Sequence, residues 1–232
     1  RLVSGGRGPY TVSRRNLTKY LGSKHIAPRE KLSRPETGVS TGLAKTSSGG
    51  TILFIEAIAM KGSGRFKLTG KLGEVMQESA HAAVSFVRAR YMDQLEDGDF
   101  FENNDIHLHI PAGAVPKDGP SAGIAIATSV ASLATGRKVR DDVAMTGEIT
   151  LTGKVLQVGA VRDKVLAAHR AGICEVLLPE TNRPDIEDIP EAVRAEMKFV
   201  FIDRVEQGVR SALVDGGSRS GKGKKRKKRK KT

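Results

Sequence analysis

The sequence predicts a layered α/β or α+β domain, a mixed sheet packed with helices, and three observations carry that expectation. Strand-like and helix-like stretches alternate through the second half of the chain. Residues 74–95 place Val75, Met76, Ala80, Ala83, Val84, Phe86 and Val87 at helical spacing, which predicts a long amphipathic helix. The charge resolves into a tail. The chain of 232 residues carries +13, but nine basic residues lie between Lys222 and Lys231, and removing them leaves 30 basic against 26 acidic residues, a net +4. The length suffices for one main core.

Taken in order, residues 1–37 are rich in Gly, Ser, Arg and Pro and hold one short helical candidate over 12–21, with Ser13 or Asn16 as its cap. They read as a linker or the frayed end of a preceding domain. The main domain is expected from Gly38. Residues 51–58 are β-rich, Gly62-Ser63-Gly64 is a turn, and residues 65–69 can return as the second strand of a hairpin. After the long helix come a strand over 106–110, a loop over 111–119, and a second helix beginning at Pro120, since proline suits the first helical position and Gly136 sits beyond the Ala-rich end. Small residues nearly all round that helix predict burial. Residues 143–146 and 149–158 are strand candidates, 161–171 a short helix stopped by Gly172, and 176–178 and 199–202 further strands.

Several classes of function are excluded or weakened. No apolar run approaches the roughly 18 residues that span a bilayer, and the longest, over 124–134, is interrupted by Thr128, Ser129 and Ser132. The chain begins at Arg1 with no signal-peptide pattern, so it reads as a fragment of something longer. A single cysteine, Cys174, excludes an internal disulfide framework and is expected as a small core residue in a strand. The tail over 215–232 cannot bury apolar surface and is expected to be disordered. It could attract nucleic acids without sequence preference, or simply be solvated.

Peptide hydrolysis needs a nucleophile, a base and donors for the oxyanion. Ser121 falls at the first turn of a helix, where free backbone N–H groups face a developing negative charge, and Gly119 and Gly123 allow a backbone to come close. A serine at a helix start also serves as a plain cap. The histidines His25, His81, His107, His109 and His169 are scattered. His107 and His109 share a strand face but have no identifiable third ligand, so no metal site is expected. On the helix over 161–171 a 100° step puts Lys164 beside Val161, Ala168 and Ala171, with Asp163 and Arg170 on the other side. Burial there would lower the lysine pKa and make it a base, while a lysine snorkelling at the edge of the face is the alternative.

The stretch Pro116-Lys117-Asp118-Gly119-Pro120-Ser121-Ala122-Gly123 resembles the active-site signature of the Lon protease family. Met145-Thr146-Gly147-Glu148-Ile149-Thr150, Leu72-Gly73-Glu74-Val75-Met76-Gln77-Glu78-Ser79 and Ala167-Ala168-His169-Arg170-Ala171-Gly172 are similar to further family segments in the same order. The likeness covers roughly 41–213. It implies a compact Lon-type proteolytic domain of the ribosomal-protein-S5-domain-2-like fold, Ser121 as nucleophile and Lys164 as base. It also implies Thr146 as a hydroxyl that hydrogen-bonds the lysine, and Asp118 as a loop residue beside the nucleophile. Thr146 as an ordinary strand residue and Asp118 as a helix cap remain alternatives.

A Lon protease also needs an AAA+ ATPase, and no Walker A loop is present. Gly216-Gly217-Ser218-Arg219-Ser220-Gly221-Lys222 comes nearest, but Gly223 stands where a magnesium ligand belongs. The resemblance therefore implies residues 1–37 as a linker with the remnant of that ATPase, 38–214 as the proteolytic domain and 215–232 as a basic tail. ATP and Mg are implied only for sequence elsewhere. Expected partners are unfolded or damaged polypeptides, five further copies in a homo-hexamer, and nucleic acid at the tail, with no membrane. The expected location is bacterial cytoplasm, with an organelle matrix as the alternative. Two other functions remain open: a Lon-like, RadA-like nucleic-acid-associated ring module without peptidase activity, and a stand-alone hydrolase of small esters or amides.

Overall fold

A computed structural model describes residues 11–13, 15–22, 31–91, 99–111 and 117–214. Within them lie the helices Leu17–Leu21 (α1), Glu74–Tyr91 (α2), Phe100–Asn103 (α3), Gly123–Thr135 (α4), Val161–Arg170 (α5), Glu191–Glu196 (α6) and Val205–Ala212 (α7). The strands are Val39–Thr46 (β1), Gly49–Lys61 (β2), Phe66–Thr69 (β3), Asn104–His109 (β4), Val143–Met145 (β5), Glu148–Ile149 (β6), Val155–Leu156 (β7), Glu175–Pro179 (β8) and Lys198–Ile202 (β9). Seven strands form one mixed sheet in the order β3-β4-β2-β1-β5-β8-β9, and β6 and β7 pair as a separate small ribbon. The layered α/β expectation holds.

The alternation along β2 creates two cores. Leu53, Ile55 and Ala57 point to one face, where they pack against α4 in a core that α2 and α7 complete from the far side of that helix. Ile52 and Phe54 point to the other, where Val161, Val165 and Ala168 of α5 cover them. The predicted burial of the helix after Pro120 is borne out: every residue of α4 from Gly123 to Ser132 is buried. Its hydroxyls are all used. Thr128 Oγ1 donates back to Ile124, Ser129 Oγ donates to Ser40 Oγ and to the Ile55 carbonyl, and Ser132 Oγ donates to the Arg137 carbonyl while accepting from Gly38. Of the residues that interrupt the longest apolar run, Ser129 ties α4 to β1 and β2, Ser132 ties it to the segments beside it, and Thr128 satisfies its hydroxyl within the helix.

Four expectations change. The 12–21 candidate is helical only over α1; Asn16 occupies its N-cap position, but its side chain bonds Ser13 and Thr11 instead. Residues 66–69 do not form a hairpin with β2. β3 lies parallel to β4, which is inserted between them, and the hairpin partner of β2 is β1, a strand the pattern did not single out. Asp105 of β4 organises the link by accepting the Ser63 and Arg65 N–H groups and pairing with the Arg65 guanidinium. A turn signal marks a reversal without naming the neighbour. The 149–158 strand is two short strands around a tight turn in which Gly153 N–H reaches the Thr150 carbonyl. Cys174 is exposed, because β8 starts one residue later and Ile173 takes the buried position.

The helix expected over 74–95 is seen as α2, and residues 92–98 lie outside the described residues, as do the tail and most of residues 1–30. Among the described residues no helix is long and apolar enough to cross a membrane.

Candidate active site

Ser121 lies in a 3₁₀ turn, Pro120–Ala122, that runs directly into α4. Gly119 before it has φ 117 and ψ 151, a backbone that side chains rarely adopt. The turn is therefore set by the sequence Gly-Pro: glycine makes the reversal and proline opens the helix. Pro120 has no N–H, and among the described residues the Ser121 N–H has no acceptor. That leaves a free donor at the positive end of a helix beside the hydroxyl.

The turn is fastened on both sides. Asp118 Oδ1 accepts the N–H of Met76 at 3.1 Å and of Gly119 at 2.9 Å, so its carboxylate caps α2 as well as the loop. Both readings of Asp118 thus coincide: a loop residue next to the serine, and a helix cap, though of a different helix. A Cβ on Gly73 would strike this carboxylate, and Gly73 N–H binds the Lys117 carbonyl at 2.7 Å. Lys117 is buried, with its amine donated to the Gly70 carbonyl at 2.9 Å. Pro116, the first residue of the motif, lies outside the described residues.

On the other side β5 ends at Met145, and Thr146 carries the chain out of the sheet with its N–H on the Leu177 carbonyl. The Ser121 carbonyl accepts from Gly147 N–H at 2.9 Å and from Thr146 Oγ1 at 3.2 Å. Thr146 Oγ1 in turn accepts from Lys164 Nζ at 3.0 Å. Since the threonine has one proton and gives it to the carbonyl, the lysine must be the donor in their pair.

Lys164 is 3 % exposed, on the apolar side of α5 with Val161, Ala168 and Ala171. The snorkelling alternative fails. Asp163 instead turns outward to pair with Lys45 at 3.2 Å. Among the described residues Lys164 has no ion pair, and burial alone lowers its pKa from the ordinary 10.5 to about 8. Close seating of α5 on the β1–β2 hairpin permits this, since a Cβ on Gly50 would collide with the Asp163 carbonyl.

Lys164 of α5 meets Thr146 just past β5, and Thr146 meets the backbone of Ser121 before α4, while Asp118 fastens the same loop to α2. Ser121 Oγ has no hydrogen bond among the described residues, so the link to Lys164 runs through Thr146 and the serine's own carbonyl. Sequence reasoning assigned no role to Gly147, whose N–H shares that carbonyl; the available signal was a glycine immediately after a strand, where a Cβ would strike Val155. His107 and His109 share a strand face as expected, and both bond Thr69, at 2.8 and 2.7 Å. No cluster of three or more His, Cys, Asp or Glu side chains suited to a metal occurs among the described residues.

Comparison with known proteins places this arrangement in context. Residues 11–215 match the family described as the Lon protease (S16) C-terminal proteolytic domain. The chain is 51 % identical over 200 residues to the Lon protease of Dictyoglomus thermophilum, covering 86 % of this chain and 25 % of that protein. It is 52 % identical over 204 residues to that of Syntrophus aciditrophicus, covering 87 % and 26 %. With that of Aquifex aeolicus it shares 50 % over 213 residues, covering 91 % and 27 %. The chain therefore spans about a quarter of the length of these relatives.

Proposed function

Because the chain belongs to the family of Lon protease C-terminal proteolytic domains, we propose that it cuts peptide bonds as a serine endopeptidase with Ser121 as nucleophile and Lys164 as base. The observation that carries this reading is the buried Lys164 amine, without an ion pair among the described residues, held on Thr146 beside the nucleophile's backbone. A lysine at about 8 is neutral in a useful fraction near physiological pH. One N–H of the neutral amine is spent on Thr146, which leaves its lone pair for the serine proton.

In the first half-reaction Lys164 takes the Ser121 proton, Oγ bonds the substrate carbonyl carbon, and the carbonyl electrons move to oxygen, which the free Ser121 N–H stabilises. Collapse expels the amine, which takes the proton back from Lys164, and leaves an ester on Ser121. Water, deprotonated by the same lysine, then releases the acid. The missing Ser121 Oγ–Lys164 contact fits a resting state, since such bonds often tighten only around substrate.

The wider reading is that of an ATP-dependent machine. Unfolded or damaged polypeptides are the substrates, six copies form the ring, and an AAA+ module outside this chain binds ATP and Mg. The basic tail draws nucleic acid without sequence preference. A bacterial cytoplasmic location goes with this reading. The near-quarter coverage of the relatives supports an engine elsewhere.

The test is hydrolysis of a fluorogenic peptide, together with labelling by a serine-reactive phosphonate. Ser121→Ala should lose both, and Lys164→Arg should lose turnover because guanidinium stays charged. Wild-type rates in either variant would end the dyad reading. Retained turnover in Lys164→Arg alone would move the base elsewhere.

A further inference from the structure

The two peptide planes that flank Ser121 are held by different parts of the fold. The plane following it is fixed through the Ser121 carbonyl by Thr146 and Gly147. The plane preceding it contains the Pro120 carbonyl and the Ser121 N–H, so whatever holds that carbonyl also aims that N–H. Two groups hold it. One is the Gly123 N–H, inside the 3₁₀ turn itself. The other is the hydroxyl of Ser79, which donates to the Pro120 carbonyl at 3.3 Å from the second turn of α2.

Ser79 is built into this place. It is 9 % exposed in the middle of a helix, where a serine ordinarily turns its hydroxyl to solvent or back to the carbonyl one turn earlier. Here the hydroxyl reaches across to another element. The point where a Cβ of residue 123 would stand lies 3.2 Å from its oxygen, so Gly123 leaves the room the contact needs. Asp118 binds the first turn of the same helix, and α2 therefore grips the residues at both 118 and 120.

We propose that Ser79 is a positioning residue for the Ser121 reaction: it fixes the Pro120–Ser121 peptide plane and so aims the oxyanion-binding N–H and the hydroxyl of Ser121. This rests on Ser121 being the nucleophile. Its hydroxyl bonds Pro120 while the Lys164 amine bonds Thr146, so Ser79 acts on geometry and leaves the titration of the base alone.

The experiment compares wild type with Ser79→Ala, Ser79→Thr and Ser79→Cys by peptide kinetics across pH and by hydrogen–deuterium exchange of the segment 117–125. Ser79→Ala should lower kcat about tenfold, which corresponds to about 1.4 kcal/mol, one hydrogen bond's worth. KM should stay within about twofold and the pH midpoint should not move. Exchange should quicken in 117–125 and nowhere else. Ser79→Thr, which keeps the donor, should recover most of the rate and protection, and Ser79→Cys, a weaker donor, should fall between. Unchanged exchange in Ser79→Ala would overturn the proposal, whether or not the peptide is cut. Equal losses in the Ala and Thr variants would overturn it too, since packing and not the hydroxyl would then matter. A moved pH midpoint would do the same by placing the effect on Lys164. If wild type cleaves nothing while the exchange difference appears, the positioning of Ser121 stands and the peptidase reading falls.

Discussion

Lys164 is a buried cation up to about pH 8 and a buried amine above it, and that single fact sets two measurable pH dependences. Catalysis by the neutral amine should make kcat/KM rise with pH through a midpoint near 8, where the lysine loses its proton. Stability follows from the same shift. The folded pKa is below the unfolded value, so the unfolded state binds more protons between about 8 and 10.5, and stability should climb with pH across that window. Below it the buried charge costs at most on the order of 3 kcal/mol. Lys164→Met should therefore unfold at higher urea than wild type at pH 7, with the advantage fading by about pH 10.5. An unchanged or lower urea midpoint at pH 7 would mean that the cation is well solvated in place. Thr146 is the companion at this scale. Thr146→Val keeps the shape but strips the Lys164 amine of its acceptor and the Ser121 carbonyl of one of its two donors. A kcat loss of roughly 10- to 100-fold is expected, with Thr146→Ser near wild type. Equal activity of the Val variant in steady-state assays would remove Thr146 from the site.

At the scale of elements, α5 must arrive at a fixed height for Lys164 to meet Thr146, and its approach is held by unusual means. Ala160 at its N-cap has φ 59, one of two non-glycine residues with positive φ among the described residues. The other is Lys71, whose carbonyl accepts the Lys117 N–H, so both strained positions border the site. Just before Ala160, Asn182 is fully buried and mimics a neighbouring strand: its Oδ1 accepts the Val158 N–H at 3.0 Å and its Nδ2 donates to the Val158 carbonyl at 2.8 Å. Asn182→Ala would orphan two buried backbone groups. It should lower the unfolding free energy by about 2–4 kcal/mol, read from urea melts. A loss below about 0.5 kcal/mol would mean that water replaces the amide, and the segment before α5 would then owe its place to packing alone.

For the whole molecule the question is what a protease site can reach without an engine. Cleavage needs an extended segment, and drawing one from a folded protein works against about 5–15 kcal/mol. The purified chain should therefore cut short peptides and an unfolded protein, leave a stable folded substrate intact, and respond to ATP in neither case. ATP-stimulated loss of the folded substrate would reveal a nucleotide site within these 232 residues. Charge is the second property at this scale. Deleting residues 221–232 should abolish salt-sensitive retention on immobilised DNA while peptide cleavage stays within about twofold. Undiminished retention at the same salt would move the binding surface onto the folded domain.

Much of this was legible in the sequence because it depends on local order. Helical spacing marked α2 and the buried side of α5, Pro120 marked the helix start that bears Ser121, and small residues all round α4 marked it as interior. Four motifs in family order pointed by resemblance to Ser121, Lys164, Thr146 and Asp118 as candidate site residues. What depends on which distant segments become neighbours was not legible. The partner of β2, the exposure of Cys174, the strand-like service of Asn182 and the grip of Ser79 on Pro120 all join residues that carry no mark of one another along the chain. The sequence by itself determined which residues can turn, bury or ionise, since those are properties of short stretches and of single side chains. The tertiary structure alone decided that Lys164 would be sealed without an ion pair among the described residues, and that Thr146 would stand between it and Ser121. Desolvation and hydrogen-bond geometry are properties of the packed surroundings, and those exist only once the helices close over the sheet.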